Sequence, residues 1–367
     1  MSGPIVIAAG GTGGHLFPGQ ALAQELARRG QAVAVITDAR VAGVGKRFPG
    51  TDVFSVPSAT PSGGGIWGIV RAIGPILHGT LSAWRILGRL KARAVIGFGG
   101  YPTLPPLLAA WLRGIPTAVH EQNAVLGRVN RLMAPRVTAI AATFESPKFL
   151  CAADAPKLTV TGNPVRDQVA ALAGSAYPMP EPGGVLRLLV FGGSQGARVM
   201  SDVVPAAVAQ LPSGLRDRLE IVQQARAEDV ARVREAYGRS GVRARVESFF
   251  EDMPERMAAA HLVIARAGAS TVSELAVIGR PAILVPLPHA IDQDQLANAQ
   301  VLAHAGGAWP MLQQDLTPDT LARRLERLLG DPAGLAAAAQ AARAIARADA
   351  ARRLADLVEA VASGRVR

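Results

Sequence analysis

The sequence predicts an α/β protein: two doubly wound parallel-sheet domains facing a cleft, followed by a C-terminal helical segment. Three observations carry this. The chain has 367 residues, too many for one ordinary core and enough for two domains of about 100–200 residues each. Short apolar runs rich in β-formers alternate with helical stretches in two successive series, as parallel sheets covered on both faces require. The first strand of each series runs into glycine, where an open α/β sheet offers its backbone to a ligand.

In the first series, strands are expected at 5–9, 33–37, 53–56, 94–98, 117–120, 137–142 and 158–161, with helices such as 19–29 and 126–134 between them. In the second, strands are expected at 186–192, 220–223, 243–249, 262–266 and 282–287. Gly162-Asn163-Pro164 marks the boundary, giving domains 1–162 and 163–335. From Gly334 to Ala362 the chain is rich in Ala, Arg and Leu and almost free of helix breakers, so 336–367 is expected as one long helix or two abutting ones.

Composition narrows the function. Hydrophobic residues make up 49% and charged residues 18%, which excludes a disordered chain. Aromatics are 4%, too few for stacked nucleic-acid platforms, and no nucleic-acid partner is expected. The single cysteine, Cys151, excludes a disulfide framework and a cysteine-built metal site. The net charge of +11 points to an acidic partner and is unevenly spread: residues 1–160 hold sixteen Lys and Arg against six Asp and Glu. Nothing acidic lies between Asp52 and Glu121, while Arg71, Arg85, Arg89, Lys91 and Arg93 punctuate an apolar stretch containing Ile69, Ile73, Ile76, Leu77, Trp84 and Leu87. At helical spacing this is either a core-facing helix with a solvated basic face or a membrane-surface patch. The longest uncharged run, 94–112, is interrupted by Gly97, Gly99, Gly100, Pro102, Pro105 and Pro106, so it reads as strand, turn and short helix rather than a membrane span. Met1-Ser2-Gly3-Pro4 leads directly into a strand, without the basic and long apolar regions of a signal peptide.

Chemistry-bearing residues collect at strand ends. Gly10-Gly-Thr12-Gly13-Gly14-His15 follows the first strand, and Gly192-Gly-Ser194-Gln195-Gly196-Ala197 opens the second series. Such turns let backbone and helix N-terminus approach an anion. The third glycine of a dinucleotide fingerprint is replaced by Leu16, and no Walker pattern occurs; Asp38, where a ribose-binding acid would stand, keeps a nicotinamide enzyme as an alternative. Tyr101, His120, Glu121 and Asn123 follow other strands and are expected to line one cleft wall with His15. Ala269-Ser270-Thr271-Val272-Ser273-Glu274 suits a phosphate and ribose hydroxyls, although Ser/Thr followed by Glu is also a capping arrangement.

In order, the segments Gly-Gly-Thr-Gly-Gly-His-Leu-Phe-Pro, Gly-Tyr-Pro, His-Glu-Gln-Asn, Gly-Asn-Pro-Val-Arg, Gly-Gly-Ser-Gln-Gly-Ala and Arg-Ala-Gly-Ala-Ser-Thr-Val-Ser-Glu closely resemble the MurG family of peptidoglycan glycosyltransferases. The resemblance spans nearly the whole chain. It implies a GT-B fold of two Rossmann-like domains and inverting transfer of GlcNAc from UDP-GlcNAc to the C4 hydroxyl of lipid-linked MurNAc-pentapeptide, lipid I. Another sugar-nucleotide enzyme of this architecture, such as a UDP-GlcNAc epimerase or a natural-product glycosyltransferase, is the alternative.

By motif match, Ser194, Gln195 and Gly196 face the diphosphate with Arg166 beside them. Residues 269–274 hold phosphate and ribose, Glu274 on the ribose hydroxyls. The backbone at Phe250 meets uracil, Gln295 binds the sugar, and Thr12, Gly13, Gly14 and Asn123 close over the donor. Many relatives read Asp-Asp-His-Gln where this chain has Asp292-Gln293-Asp294-Gln295, so no imidazole is assigned there. For the base, His15 is favoured because an imidazole side chain is suited to proton transfer at neutral pH, and Glu121 competes with it; Tyr101 and His120 complete the catalytic set. No tightly bound cofactor and no essential divalent metal are expected. The expected location is peripheral, on the cytoplasmic face of the bacterial inner membrane, through residues 66–93.

Overall fold

The computed structural model describes residues 3–10, 13–38, 48–60, 66–193 and 196–366. They form two compact units, 1–166 with 347–367, and 167–346. The first contains seven strands, β1 (Ile5–Ala8), β2 (Val33–Thr37), β3 (Asp52–Ser55), β4 (Ala94–Gly97), β5 (Thr117–Glu121), β6 (Ala139–Ala142) and β7 (Leu158–Val160). Their spatial order is 3-2-1-4-5-6-7, with every pairing parallel. The chain reverses its winding direction between β1 and β4, where Ile5 pairs with Val33 on one side and Ala94 on the other. A crevice opens outside the carboxyl ends of strands at such a switch point.

The second unit repeats the plan with β8 (Leu186–Phe191), β9 (Leu219–Gln224), β10 (Arg243–Glu247), β11 (Leu262–Ala265), β12 (Ala282–Leu284) and β13 (Ala308–Pro310), ordered 10-9-8-11-12-13. β13 is an edge strand of three residues ending in proline, and the sequence pattern gave it no signal. Proline is tolerated at an edge because no further strand needs its missing N–H.

The central strands are buried along their whole length because helices cover both faces. Ile5, Ile7, Ile96 and Ala141 face one core of the first unit, and Val6, Ala8, Val95 and Ile140 face the other. The sequence placed 336–367 in one terminal segment and Asn163–Arg166 in the second domain. Instead, the helix Pro332–Ala344 packs within the second unit, while Ala350–Ala362 and residues 163–166 belong to the first. Leu354, Ala355, Val358 and Val361 insert into the first core, each large side chain contributing about 1.5–3 kcal/mol. Arg29 fastens the rim, donating to Glu25, Asp356 and Glu359 at 2.7–2.8 Å; these partly exposed pairs add less, about 0–1 kcal/mol each.

The helix Ile66–Leu90 has two apolar faces. Ala72, Ala83, Ile86 and Leu87 are buried, so Leu87 leaves the outward stripe that the sequence suggested. Ile73, Leu77, Leu81 and Trp84 are exposed, Leu77 by 64%, and Trp111 and Leu112 are exposed on the helix Leu104–Leu112 packed beside it. Arg113 lies 3.8 Å from the Trp84 ring centroid and donates to the Trp84 carbonyl at 2.7 Å. No helix among the described residues is long and apolar enough to cross a membrane.

Candidate active site

In the first unit, groups at or beyond the carboxyl ends of β1, β5 and β7 form a hydrogen-bonded chain. His120, the penultimate residue of β5, is fully buried. Its Nε2 lies 2.9 Å from the Gly162 carbonyl oxygen; a carbonyl accepts, so this nitrogen carries the proton. The Gln122 amide Nε2 lies 2.9 Å from His120 Nδ1 and 3.0 Å from the His120 carbonyl oxygen. That carbonyl also demands a donor, which fixes the amide orientation. Gln122 Oε1 therefore faces His15 Nδ1 at 3.0 Å, and as an acceptor it requires the proton on Nδ1. A neutral His15 is held in one tautomer, with the lone pair on Nε2. Burial pushes His120 down to about 4, so it remains neutral and its Nδ1 keeps accepting from Gln122.

His15 stands in the first turn of the helix Gly13–Arg28, against the Gly99-Gly100 turn after β4. A Cβ on Gly100 would lie 3.5 Å from His15 Nε2, and its φ of +75° is left-handed. A side chain there would combine backbone strain with crowding of the imidazole. Tyr101 begins the next turn and packs partly against the apolar core. Among the described residues, no hydrogen bond joins it to His15, His120 or Glu121.

Glu121 occupies a different environment. Oε1 accepts from the Asn123 amide at 3.0 Å and Asn123 Nδ2 at 3.2 Å; Oε2 accepts from the Gly127 amide at 2.7 Å and Asn130 Nδ2 at 2.9 Å. Burial raises this carboxyl above the usual range, and the four donors act in the opposite direction. With all four N–H groups converging on it, Glu121 clamps the loop 121–130, whereas among the described residues His15 Nε2 has no hydrogen bond. Asn130 also donates to the His120 carbonyl at 3.2 Å. The roles of Asn130 and Gly162 were not visible in sequence, because they stand 10 and 42 positions from His120 and meet it only after β5 and β7 are in place; the role of Gln122 was hidden because its second partner, His15, lies 107 positions away.

In the second unit, β8 ends at a turn that closes on itself: a Cβ on Gly192 would fall 2.3 Å from the Ala197 nitrogen. Gly196 follows with a φ of +67°. Ser194 and Gln195, like Thr12 of the first unit, lie outside the described residues. After β11, the helix Ala269–Ile278 starts at Gly268 with no side-chain cap, which removes the capping explanation of this motif. The amides of Ala269, Ser270 and Thr271 lack intrahelical partners by construction. Ser270 Oγ is buried without a hydrogen bond, whereas Ser273 Oγ donates to the Ala269 carbonyl at 2.8 Å. Val272 is core and Glu274 is buried one turn into the helix.

Asn298, fully buried on the helix Asp294–His304, holds the turn by donating to the Ala267 carbonyl at 3.1 Å. Gln295 Oε1 accepts from the Leu287 amide at 3.0 Å, leaving its Nε2 as the group offered outward. Asp292 and Gln293 before them both have left-handed φ, 55° and 56°, a costly conformation for side-chain-bearing residues that clusters at functional loops. The Phe250 ring is buried with Arg256 4.4 Å from its centroid, so its backbone is what it offers. Phe249 next to it is 68% exposed and was overlooked by the motif match; an aromatic left in solvent beyond a strand end was its signal.

Arg166 lies 5.1 Å over the Phe17 ring, within the first unit, beside Gly13, whose Cβ would lie 3.0 Å from Phe17. Gly14 is exposed at the same helix start. Asp38 is buried and accepts from Ser58 at 3.2 Å, so it is not presented to a nucleotide ribose.

Comparison with known proteins agrees with both units. Residues 5–142 match the glycosyltransferase family 28 N-terminal domain and residues 187–354 its C-terminal domain. A UDP-N-acetylglucosamine–N-acetylmuramyl-(pentapeptide) pyrophosphoryl-undecaprenol N-acetylglucosamine transferase of Methylobacterium sp. (strain 4-46) is 55% identical over 96% of this chain and 95% of its own. Its namesake from Rhodopseudomonas palustris is 53% identical, covering 98% of each chain. The crystal structure of Acinetobacter baumannii MurG matches with 31% identity and a TM-score of 0.78, covering 97% of this chain and 99% of that one. Two all-parallel units of this topology, matched end to end by these relatives, show that the chain belongs to the family 28 glycosyltransferases of GT-B fold, among the UDP-N-acetylglucosamine–N-acetylmuramyl-(pentapeptide) pyrophosphoryl-undecaprenol N-acetylglucosamine transferases.

Proposed function

We propose that the chain transfers N-acetylglucosamine from UDP-N-acetylglucosamine to the C4 hydroxyl of undecaprenyl-diphospho-MurNAc-pentapeptide, lipid I, with inversion, giving lipid II. The relatives' names support the reaction. The observation that carries the mechanism is the hydrogen-bonded chain that leaves the His15 Nε2 lone pair free. In one in-line displacement the acceptor oxygen bonds to the anomeric carbon as its proton passes to His15 Nε2. The bond to the diphosphate breaks and its electron pair leaves with UDP. The imidazolium so formed keeps donating from Nδ1 to Gln122 Oε1. In this reading His15 touches the reacting atoms, whereas His120 and Glu121 are positioning groups.

The donor is assigned to the second unit. The leaving diphosphate is met by the amides at the start of Ala269–Ile278, Ser270 Oγ and the turn 192–197. Donors already in place need little rearrangement as charge develops, so the reading requires no divalent metal. Glu274 takes the ribose, Gln295 Nε2 a sugar hydroxyl, and uracil meets the Phe250 backbone, with Phe249 available to stack. The exposed apolar row Ile73, Leu77, Leu81 and Trp84, flanked by Arg85, Arg89 and Arg113, supports peripheral attachment to an anionic membrane surface on the cytoplasmic face.

The test is a transfer assay with radiolabelled UDP-N-acetylglucosamine and a lipid I analogue, in EDTA. Label should move to the acceptor as UDP is released. Label remaining in an epimerised nucleotide sugar would make the chain an epimerase. Loss of turnover in EDTA, restored by Mn2+, would overturn the metal-independent step.

A further inference from the structure

The second unit also carries a groove of about 510 Å³ between the segment leaving β13 and the helix Pro318–Leu329. Leu312 and Asp315 stand on one wall, and Arg323, Arg324 and Arg327 on the other. At i to i+4 and i to i+3 spacings, these three stems share one side of the helix, where like charges oppose each other. None of the three has a hydrogen bond or ion pair among the described residues, although Asp319 and Glu326 lie four and three positions from Arg323. Arg232, elsewhere in this unit, lies 2.7 Å from both Asp202 and Asp229. The Arg324 guanidinium is held below the usual arginine range by burial and by Arg327. The opposite wall is fixed in advance. Arg266 donates to Gln313 Oε1 at 2.6 Å and to the Val285 and Pro286 carbonyls, and Thr320 Oγ1 donates to the Asp315 carbonyl at 2.6 Å.

We propose that this groove binds a phosphoryl group, phosphate or diphosphate, on a ligand separate from the donor nucleotide. A carboxylate offers two oxygens and is satisfied by a single guanidinium fork. A phosphoryl group offers three oxygens and up to two charges, matching two or three forks at once. The groove is built on the side of Pro318–Leu329, not at the start of Ala269–Ile278, so this assignment does not rest on the transferase reading.

Such a group could reach the groove free in solution or on a lipid headgroup, and two arms separate these sources. In the first, inorganic pyrophosphate is titrated calorimetrically into the full chain at saturating UDP; in the second, the chain is sedimented with phosphatidylcholine vesicles containing phosphatidic acid. Each arm compares the wild type with Arg324→Gln/Arg327→Gln, with thermal unfolding verifying that the variant is folded. At least a tenfold loss in the variant on the pyrophosphate arm assigns a soluble ligand, and the same loss on the vesicle arm a lipid-borne one. Equal binding by the two proteins on both arms, or no binding on either, overturns the proposal.

Discussion

At the scale of single residues, the central relation is between Gln122 and His15. The Gln122 side chain bridges two imidazoles with opposite needs, donating to His120 Nδ1 and accepting from His15 Nδ1. Gln122→Leu removes both contacts while keeping roughly the same volume. His15 then samples either tautomer, and the proton-accepting nitrogen faces the acceptor for part of the time. Leaving a buried polar group unsatisfied costs about 1–3 kcal/mol, so kcat should fall about 5- to 150-fold with little change in the affinity for UDP. His15→Ala should cost more, about 10²- to 10⁴-fold, again with UDP still bound. Rapid-quench kinetics and UDP titration check both. A wild-type rate in Gln122→Leu would show that the tautomer is not fixed through this amide, and a wild-type rate in His15→Ala would remove His15 as the base. The two strand-end histidines were legible in sequence; their division of labour was not, because it depends on the Gly162 carbonyl delivered by the chain after β7.

At the scale of an element, the helix Ala269–Ile278 is built to leave its start open. Its N-cap is glycine, its first three amides have no intrahelical partners, and among the described residues Ser270 Oγ is buried without a hydrogen bond. A buried hydroxyl without a partner destabilises the free protein, and a phosphate oxygen would satisfy it. Ser270→Ala should therefore leave thermal stability unchanged or slightly raised, yet weaken UDP binding by about 1 kcal/mol, roughly fivefold. Scanning calorimetry and UDP titration on the same variant separate these effects. A fall in both stability and binding would mean that Ser270 serves the fold instead. Strands were the most legible elements, since burial on both faces leaves uninterrupted runs such as Ile5–Ala8 and Leu262–Ala265. Two abutting terminal helices were among the readings the sequence allowed, but their assignment to different units was hidden. Residues 345–349, Ile-Ala-Arg-Ala-Asp, contain no breaker, and the separation follows from which core each helix covers.

At the scale of the whole molecule, acidity and charge act on the two units in distinct ways. Each unit buries one histidine that burial holds at about 4, His120 in the first and His261 in the second. A folded-state value below the unfolded value near ~6.5 means that the unfolded chain binds more protons between the two. The stabilisation is thus complete above about pH 6.5 and is lost as the pH falls toward 4, by about 3 kcal/mol for His120. Urea unfolding should show this slope, and His120→Gln should reduce it, leaving the share that His261 contributes. An unchanged slope in that variant would place the acid sensitivity elsewhere. The basic excess has a different consequence. It lies almost entirely within residues 1–160, and Arg85 and Arg89 project from the same helix as the exposed Leu77, Leu81 and Trp84. Apolar insertion and attraction to anionic headgroups reinforce each other, each cation near the surface contributing about 1 kcal/mol. Reversing Arg85, Arg89 and Lys91 to glutamate should therefore reduce binding to anionic vesicles by more than a hundredfold. Neutral vesicles should bind both proteins alike, and UDP affinity should not change, because these residues lie in the other unit from the donor helix. Equal sedimentation with anionic vesicles before and after reversal would reduce the basic stretch to a solvated face and leave the apolar row without its electrostatic partner.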